Sequence, residues 1–422
     1  MTFTKTILPN SLRVVTVPMA DNPSVTVLVM VEAGSKYETK EINGLSHFLE
    51  HMVFKGTPKR PKAIDISREL DSIGANYNAF TSQEFTGYYA KADKKHFDAI
   101  LDIVSDMYLH PLFPEAEIQK EKGVIIEEIR MYNDLPQRKV QEDFSALLFG
   151  DQPAGWSVLG PEENIRAFSR ENFIKYRASH YVASATTVVV AGNINEKDTL
   201  EKIQKAFAEV SIGAKEGKKP VVENQKKQEI KTIFKDTDQT HIVIGMRTFS
   251  LFDVRMPAML VLSTLLGSGM SSRLFSKMRD ELGICYYVGA SHDVSTDHGN
   301  IAISAGVDNS RVEQGIKGIL SECVRLKNEK VSPEELKKVK EYIAGTTMLG
   351  LETSDARAEY YGFQELLKKK VENPEEMIQK VQKITAEDIQ DLAREFFTNE
   401  KLNMAVLGKF KDPAIFQSYF EI

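Results

Sequence analysis

The two halves of this 422-residue chain carry the same order of sequence elements, which points to a duplicated unit before any single motif is read. Each half closes on a helical segment followed by a strand ending in glycine: ENFIKYRASHY then TTVVVAGNI, and EDIQDLAREFF then KLNMAVLGKF, so Gly192 and Gly408 occupy equivalent places. Upstream, GLSHFLEHM (44–52) corresponds to VLSTLLGSGM (261–270), and ISRELDSIGANYNAF (66–80) to LFSKMRDELGICYYV (274–288). The alternating segments FTGYYAKA and NIAISAGV read as strands. Residues 97–129 and 312–343 both read as helix, proline-marked turn at Pro114 or Pro333, and helix. A Lys- and Glu-rich stretch at 211–229 without apolar periodicity reads as a linker. The expected division is a first domain over 1–212, a linker over 213–228 and a second domain over 229–422. The expected fold class is α+β, with each domain a mostly antiparallel sheet covered by helices.

Composition narrows the function classes. The chain is 42% hydrophobic and 27% charged, enough apolar material for two cores. Its net charge of −6 gives it no general attraction for nucleic acid or anionic membrane, so neither is expected as a partner. Cys285 and Cys323 are the only cysteines, so no disulfide framework is expected. The N-terminal sequence lacks the pattern of a signal peptide, and no stretch approaches the length of a membrane span. A cytoplasmic location is the expectation.

The chemistry concentrates in GLSHFLEHMVFKG. His47 and His51 are four residues apart, which on a helix places both imidazoles on one face, where they can share a zinc ion. Glu50 lies beside them and can reach a metal-held water without being a ligand. The order is H-x-x-E-H. A catalytic zinc usually takes a third protein ligand and keeps one position open. The best source is the segment 114–134, where Glu121 and Glu128, two helical turns apart, share a face, and Glu127 points about 100° away. Histidine pairs at this spacing occur by chance on many helices, and a glutamate-rich helix is most often a solvated face. The repeat provides an internal comparison. In the second half His47, Glu50, His51, Glu121 and Glu128 become Thr264, Gly267, Ser268, Lys340 and Thr347 while the apolar pattern persists. Side chains lost together without loss of the fold pattern point to a shared task in the first half.

These motifs resemble the inverzincins, the family of pitrilysin, insulin-degrading enzyme and mitochondrial processing peptidase, and within it the processing-peptidase beta-like bacterial members. The resemblance rests on HFLEHMVFKGT, the glutamate helix, GANYNAFTSQEFTGYY, WSVLGPEENI (156–165) and SSRLFSKMRDELGICYYV, and covers nearly the whole chain. It implies a processing-peptidase-like metallohydrolase fold and a zinc-dependent endopeptidase acting on short or unfolded peptides in a closed chamber. By the same resemblance His47, His51 and Glu128 are the zinc ligands and Glu50 the general base, with Glu127 the alternative third ligand. Glu121 is a second essential glutamate. Asn78, Ala79 and Phe80 hold substrate as an added edge strand. Arg279 and Tyr286 contact substrate from the second half, with Tyr287 the neighbouring alternative. The large relatives close four such domains around a chamber. A homodimer is therefore expected, in which Arg279 and Tyr286 of one copy complete the zinc site of the other; a heterodimer with a related chain is the variant. The rival reading is a non-catalytic member of the same family that binds or scaffolds peptides.

Overall fold

A computed structural model of the chain describes residues 2–422. Strands β1 (Thr4–Ile7), β2 (Arg13–Pro18), β3 (Ser24–Val31), β4 (Asn76–Thr81), β5 (Thr86–Asp93) and β6 (Thr186–Gly192) form one sheet in the order β1-β2-β6-β3-β5-β4. Strands β7 (Glu229–Phe234), β8 (Gln239–Thr248), β9 (Cys285–Val294), β10 (Gly299–Asp308) and β11 (Asn403–Gly408) form a second, in the order β7-β11-β8-β10-β9. One pair in each is parallel, β2 with β6 and β7 with β11, and every other pair is antiparallel. Apart from the extra β1, the second order repeats the first. The duplicated, mostly antiparallel α+β architecture expected from sequence is the one observed.

Alternation along the strands explains the layering. On β3, Val25, Val27, Val29 and Val31 join a core with Phe48, Leu49 and Met52 of the helix Leu45–Val53 and Ile100 and Val104 of the helix Phe97–Leu109. The intervening Leu28 and Met30 face the opposite side, where they meet Val189, Ala191, Ala358 and Tyr361. In the second sheet Ile242, Ile244 and Met246 pack with Leu262, Leu265 and Leu266 of the helix Met256–Gly267. Val243 and Leu407 face Val140, Phe144 and Leu148 of the helix Pro136–Phe149.

The compact units do not follow the single cut expected near residue 212. The first unit comprises the residues up to Ile129 together with Trp156–Lys219 and Met348–Asn373. The second comprises Arg130–Gly155, Pro220–Thr347 and Pro374–Ile422. The helix Pro136–Phe149, although early in sequence, belongs to the second unit, and the helix Ser354–Phe363 belongs to the first. The stretch 213–228 carries no helix or strand, and it is tethered. Lys215 pairs with Glu32 and Lys218 with Glu84 in the first unit, and Val221 packs at the apolar face of the second. Among the described residues no helix is long and apolar enough to cross a membrane.

Candidate metal centre

The helix Leu45–Val53 starts at Gly44, which adopts φ +100° and has no side chain with which to cap it. Glu38 supplies the cap instead. Its buried carboxylate accepts the backbone N–H groups of Gly44 at 2.8 Å and Ser46 at 2.6 Å, and the side-chain amide of Asn43 at 3.0 Å. This satisfies amides that have no partner within the helix and sets a negative charge at its positive end. Burial pushes the Glu38 carboxyl up, and the Ser46 hydroxyl together with the same three donors pulls against it. The loop of WSVLGPEENI locks this start from outside. A Cβ on Gly160 (φ +70°) would sit 2.2 Å from the carbonyl oxygen of Asn43, and one on Gly44 would sit 2.6 Å from that of Leu159. Gly160→Ala is therefore expected to destabilise the first unit by about 1–3 kcal/mol. Gly123→Ala, at an open helical position, is expected to be neutral or stabilising. Denaturant midpoints of the two variants measure the difference.

From this fixed start His47 and His51 project on one face, with ring centroids 4.7 Å apart. The helix Glu115–Asp134 brings Glu128 to them. Its Oε2 lies 3.6 Å from His47 Nε2 and 3.5 Å from His51 Nε2, and the three side chains offer donor atoms all within 4.8 Å of one another. Zinc bonds of 2.0–2.2 Å in a tetrahedron imply donor separations of about 3.3–3.6 Å, so the two histidine–carboxylate distances suit one ion. Glu121, on the same helix face, is buried. Its Oε1 is 2.8 Å from His51 Nδ1, and its Oε2 is 2.6 Å from Lys55 Nζ. Glu127 is exposed and lies outside the cluster.

The electrostatics fit a cation. Burial, and then the neighbouring His51, lower the His47 pKa to about 3, so it is a neutral imidazole as a ligand must be. Burial lowers that of His51, but the hydrogen bond to Glu121 and the charges of Glu50, Glu121 and Glu128 outweigh it and leave it raised. The negative field that favours a protonated His51 equally favours a divalent ion between the rings. The Nδ1 of His47 is buried without a hydrogen-bond partner among the described residues. Glu50 is half-buried. Burial raises its pKa, opposed first by a hydrogen bond with Thr81 at the end of β4.

Strand β4 carries Asn78, Ala79 and Phe80 and forms the edge of its sheet, paired among the described residues to β5 alone. Asn78 is exposed and Ala79 buried, and the Phe80 ring packs beside Phe85 and Phe363. In the second unit Gly267, the counterpart of Glu50, backs onto the edge strand β9: a Cβ there would lie 2.0 Å from the backbone nitrogen of Ala290. Where the first copy has room for a carboxylate between helix and edge strand, the second is closed. Arg279 and Tyr286 lie together in that second unit. Tyr286 is exposed, and the Arg279 guanidinium donates to its carbonyl oxygen at 3.2 Å. Tyr287 instead places its hydroxyl 3.0 Å from His241 Nδ1.

Glu38, Thr81 and Lys55 were not among the residues singled out from sequence. Lys55 had a signal, since it continues the four-residue spacing of His47 and His51. Glu38 had none, because it reaches the helix from a preceding turn.

Comparison with known proteins agrees with the duplicated architecture. A model of the insulinase family (peptidase family M16) matches residues 13–162, and a model of the peptidase M16 inactive domain matches residues 167–343. The chain belongs to peptidase family M16. It is 35% identical over 396 residues to the uncharacterized zinc protease YmxG of Bacillus subtilis (strain 168), covering 93% of this chain and 95% of that one. It is 31% identical over 417 residues to an uncharacterized zinc protease of Streptomyces coelicolor, covering 97% and 90%. Among solved structures, a protease from Helicobacter pylori matches with a TM-score of 0.90 at 22% identity, covering 96% of this chain and 99% of that one. A peptidase M16 inactive domain from Pseudomonas fluorescens matches with a TM-score of 0.90 at 15% identity, covering 97% and 99%. At those identities the likeness to solved structures concerns the fold.

Proposed function

We propose that the chain is a zinc-dependent endopeptidase of extended or unfolded peptides, with His47, His51 and Glu128 as the metal ligands and Glu50 as the general base. The observation that carries this reading is the convergence of two imidazoles and one carboxylate beside a base that is not itself a ligand. Zinc held by these three side chains supplies Lewis acidity, polarising a carbonyl and making water ionisable near neutral pH. The Glu50 carboxylate accepts the proton of the attacking water and returns it to the nitrogen of the leaving amine. Burial favours its protonated form and so strengthens it as a base. The unpaired side of β4 supplies N–H and C=O groups that hold any extended peptide in register, which leaves sequence preference to side-chain pockets.

Arg279 and Tyr286 act on the same substrate from a second copy of the chain: Tyr286 donates a hydrogen bond to the developing oxyanion, and Arg279 binds a substrate carbonyl or carboxylate. Their mutual proximity and the exposure of Tyr286 support this assignment. Mixing Glu50→Gln protomers with Tyr286→Phe protomers is expected to restore part of the activity that neither variant has alone. No recovery in verified heterodimers would contradict assembly in trans. The activity itself is tested with a quenched peptide library. Cleavage is expected, abolished by a chelator and restored by zinc; zinc-replete protein that cleaves none of the library would overturn the reading in favour of a peptide-binding member of the family.

A further inference from the structure

We propose that Lys55 is a positioning residue for the metal centre, acting through Glu121 to fix the tautomer and orientation of His51. The inference rests on the zinc reading above and extends it to a residue outside the ligand set.

The three groups form a directed chain. Lys55 Nζ donates to Glu121 Oε2 at 2.6 Å, and Glu121 Oε1 faces His51 Nδ1 at 2.8 Å. An ionised carboxylate can only accept, so when His51 is the neutral ring that a metal ligand must be, its proton sits on Nδ1 and its lone pair on Nε2. That lone pair faces Glu128, whose Oε2 is 3.5 Å away. A carboxylate supporting a ligating histidine typically raises metal affinity by fixing the ring in this way.

Glu121 does not achieve this unaided. It is 5% exposed, so an oxygen without a partner would lack water to replace it, and the carboxylate would be free to turn away from the ring. Lys55, in the turn just after the helix Leu45–Val53, is the cation that engages the second oxygen and fixes the plane of the carboxylate. The support is also unshared, because the Nδ1 of His47 is buried without a hydrogen-bond partner among the described residues. Of the two imidazoles, only His51 is held from behind, and it is held through Lys55. The residue is placed to do this by the turn that follows the helix C-cap Phe54, where the Lys55 backbone N–H donates to the carbonyl oxygen of Met52 at 3.1 Å.

Zinc dissociation constants, measured by competition with a chromophoric chelator on the full-length chain, test the proposal without recourse to turnover. Lys55→Met is expected to weaken zinc binding by about 10- to 100-fold. Lys55→Arg is expected to retain most of the affinity, because its guanidinium can engage the same carboxylate oxygen. The double variant Lys55→Met with Glu121→Gln is expected to bind no more weakly than Glu121→Gln alone, since both changes break one chain of contacts. Lys55→Gln serves in place of the methionine variant if that one does not fold, and melting of the metal-free proteins identifies a loss due to folding alone. Wild-type affinity in Lys55→Met, no recovery in Lys55→Arg, or additive losses in the double variant would overturn the positioning role. A wild-type protein that takes up no zinc would overturn the underlying metal reading as well, an outcome distinct from the other three.

Discussion

Glu50→Gln is expected to lower peptide hydrolysis by about 10²–10⁴-fold, the range attributable to a positioned general base, while leaving zinc content unchanged. The substitution preserves volume and removes only the carboxylate. Glutamine keeps an acceptor for the Thr81 hydroxyl but cannot take up a proton from water. Glu50 lies on the metal helix beside His51, yet the cluster of donor atoms comprises His47, His51 and Glu128 without it. Binding and turnover should therefore separate. Kinetics on a quenched peptide, paired with metal analysis of the same sample, makes the measurement. Loss of zinc in this variant would move Glu50 into the ligand set, and unchanged turnover would remove it from the chemistry.

The second large effect concerns Glu128. Glu128→Gln is expected to weaken zinc binding by more than about 100-fold, beyond the range found when only a supporting group is lost, and to abolish hydrolysis at ordinary zinc concentrations. A neutral amide oxygen is a poor substitute for a carboxylate between two imidazoles. Glu127→Gln, one residue away on an exposed side of the same helix, is expected to bind zinc as the parent does. The pair of variants is a direct test of helical phase. Equal losses in both would mean that the acidic helix acts through bulk charge, and the reverse order would mean that the helix is rotated by one residue at the site.

Much of this arrangement was legible in the sequence because it depends on short-range periodicity. The i,i+4 spacing of His47 and His51 and the i,i+7 spacing of Glu121 and Glu128 fix which side chains share a face wherever the helices lie. The repeat, likewise, orders the strands twice, and the two sheets follow it strand for strand from β2 and β7 onward. What was not legible depends on packing between segments distant in sequence. The stripe Val140, Phe144, Leu148 announces a helix that must bury one side, but any sheet with an apolar face would satisfy it. Its partners prove to be Val243 and Leu407 in the second unit, and the helix carrying Ala358 and Tyr361 makes the complementary choice. Local pattern specifies that a helix packs, not against which sheet, so the sequence suggests a contiguous cut at residue 212 while the compact units interleave. Glu38 escaped notice for a similar reason. The N-cap position is the glycine Gly44, and the group that caps the helix folds back from a turn with no periodic relation to it.

The structure also gives the internal comparison a physical basis. In the first unit, the space between the metal helix and edge strand β4 accommodates Glu50 and its contact with Thr81. In the second, Gly267 lets the corresponding helix close onto Ala290, leaving no room for even a methyl group. The second copy keeps the sheet and its apolar core while this cleft is shut.

The most direct measurement is anomalous scattering at the zinc edge from crystals of the zinc-loaded protein. The account predicts one strong peak per chain, bounded by the Nε2 atoms of His47 and His51 and a carboxylate oxygen of Glu128, with Glu50 outside bonding distance. A zinc-replete crystal with no peak between those three side chains, or with its zinc held by other residues, would contradict it.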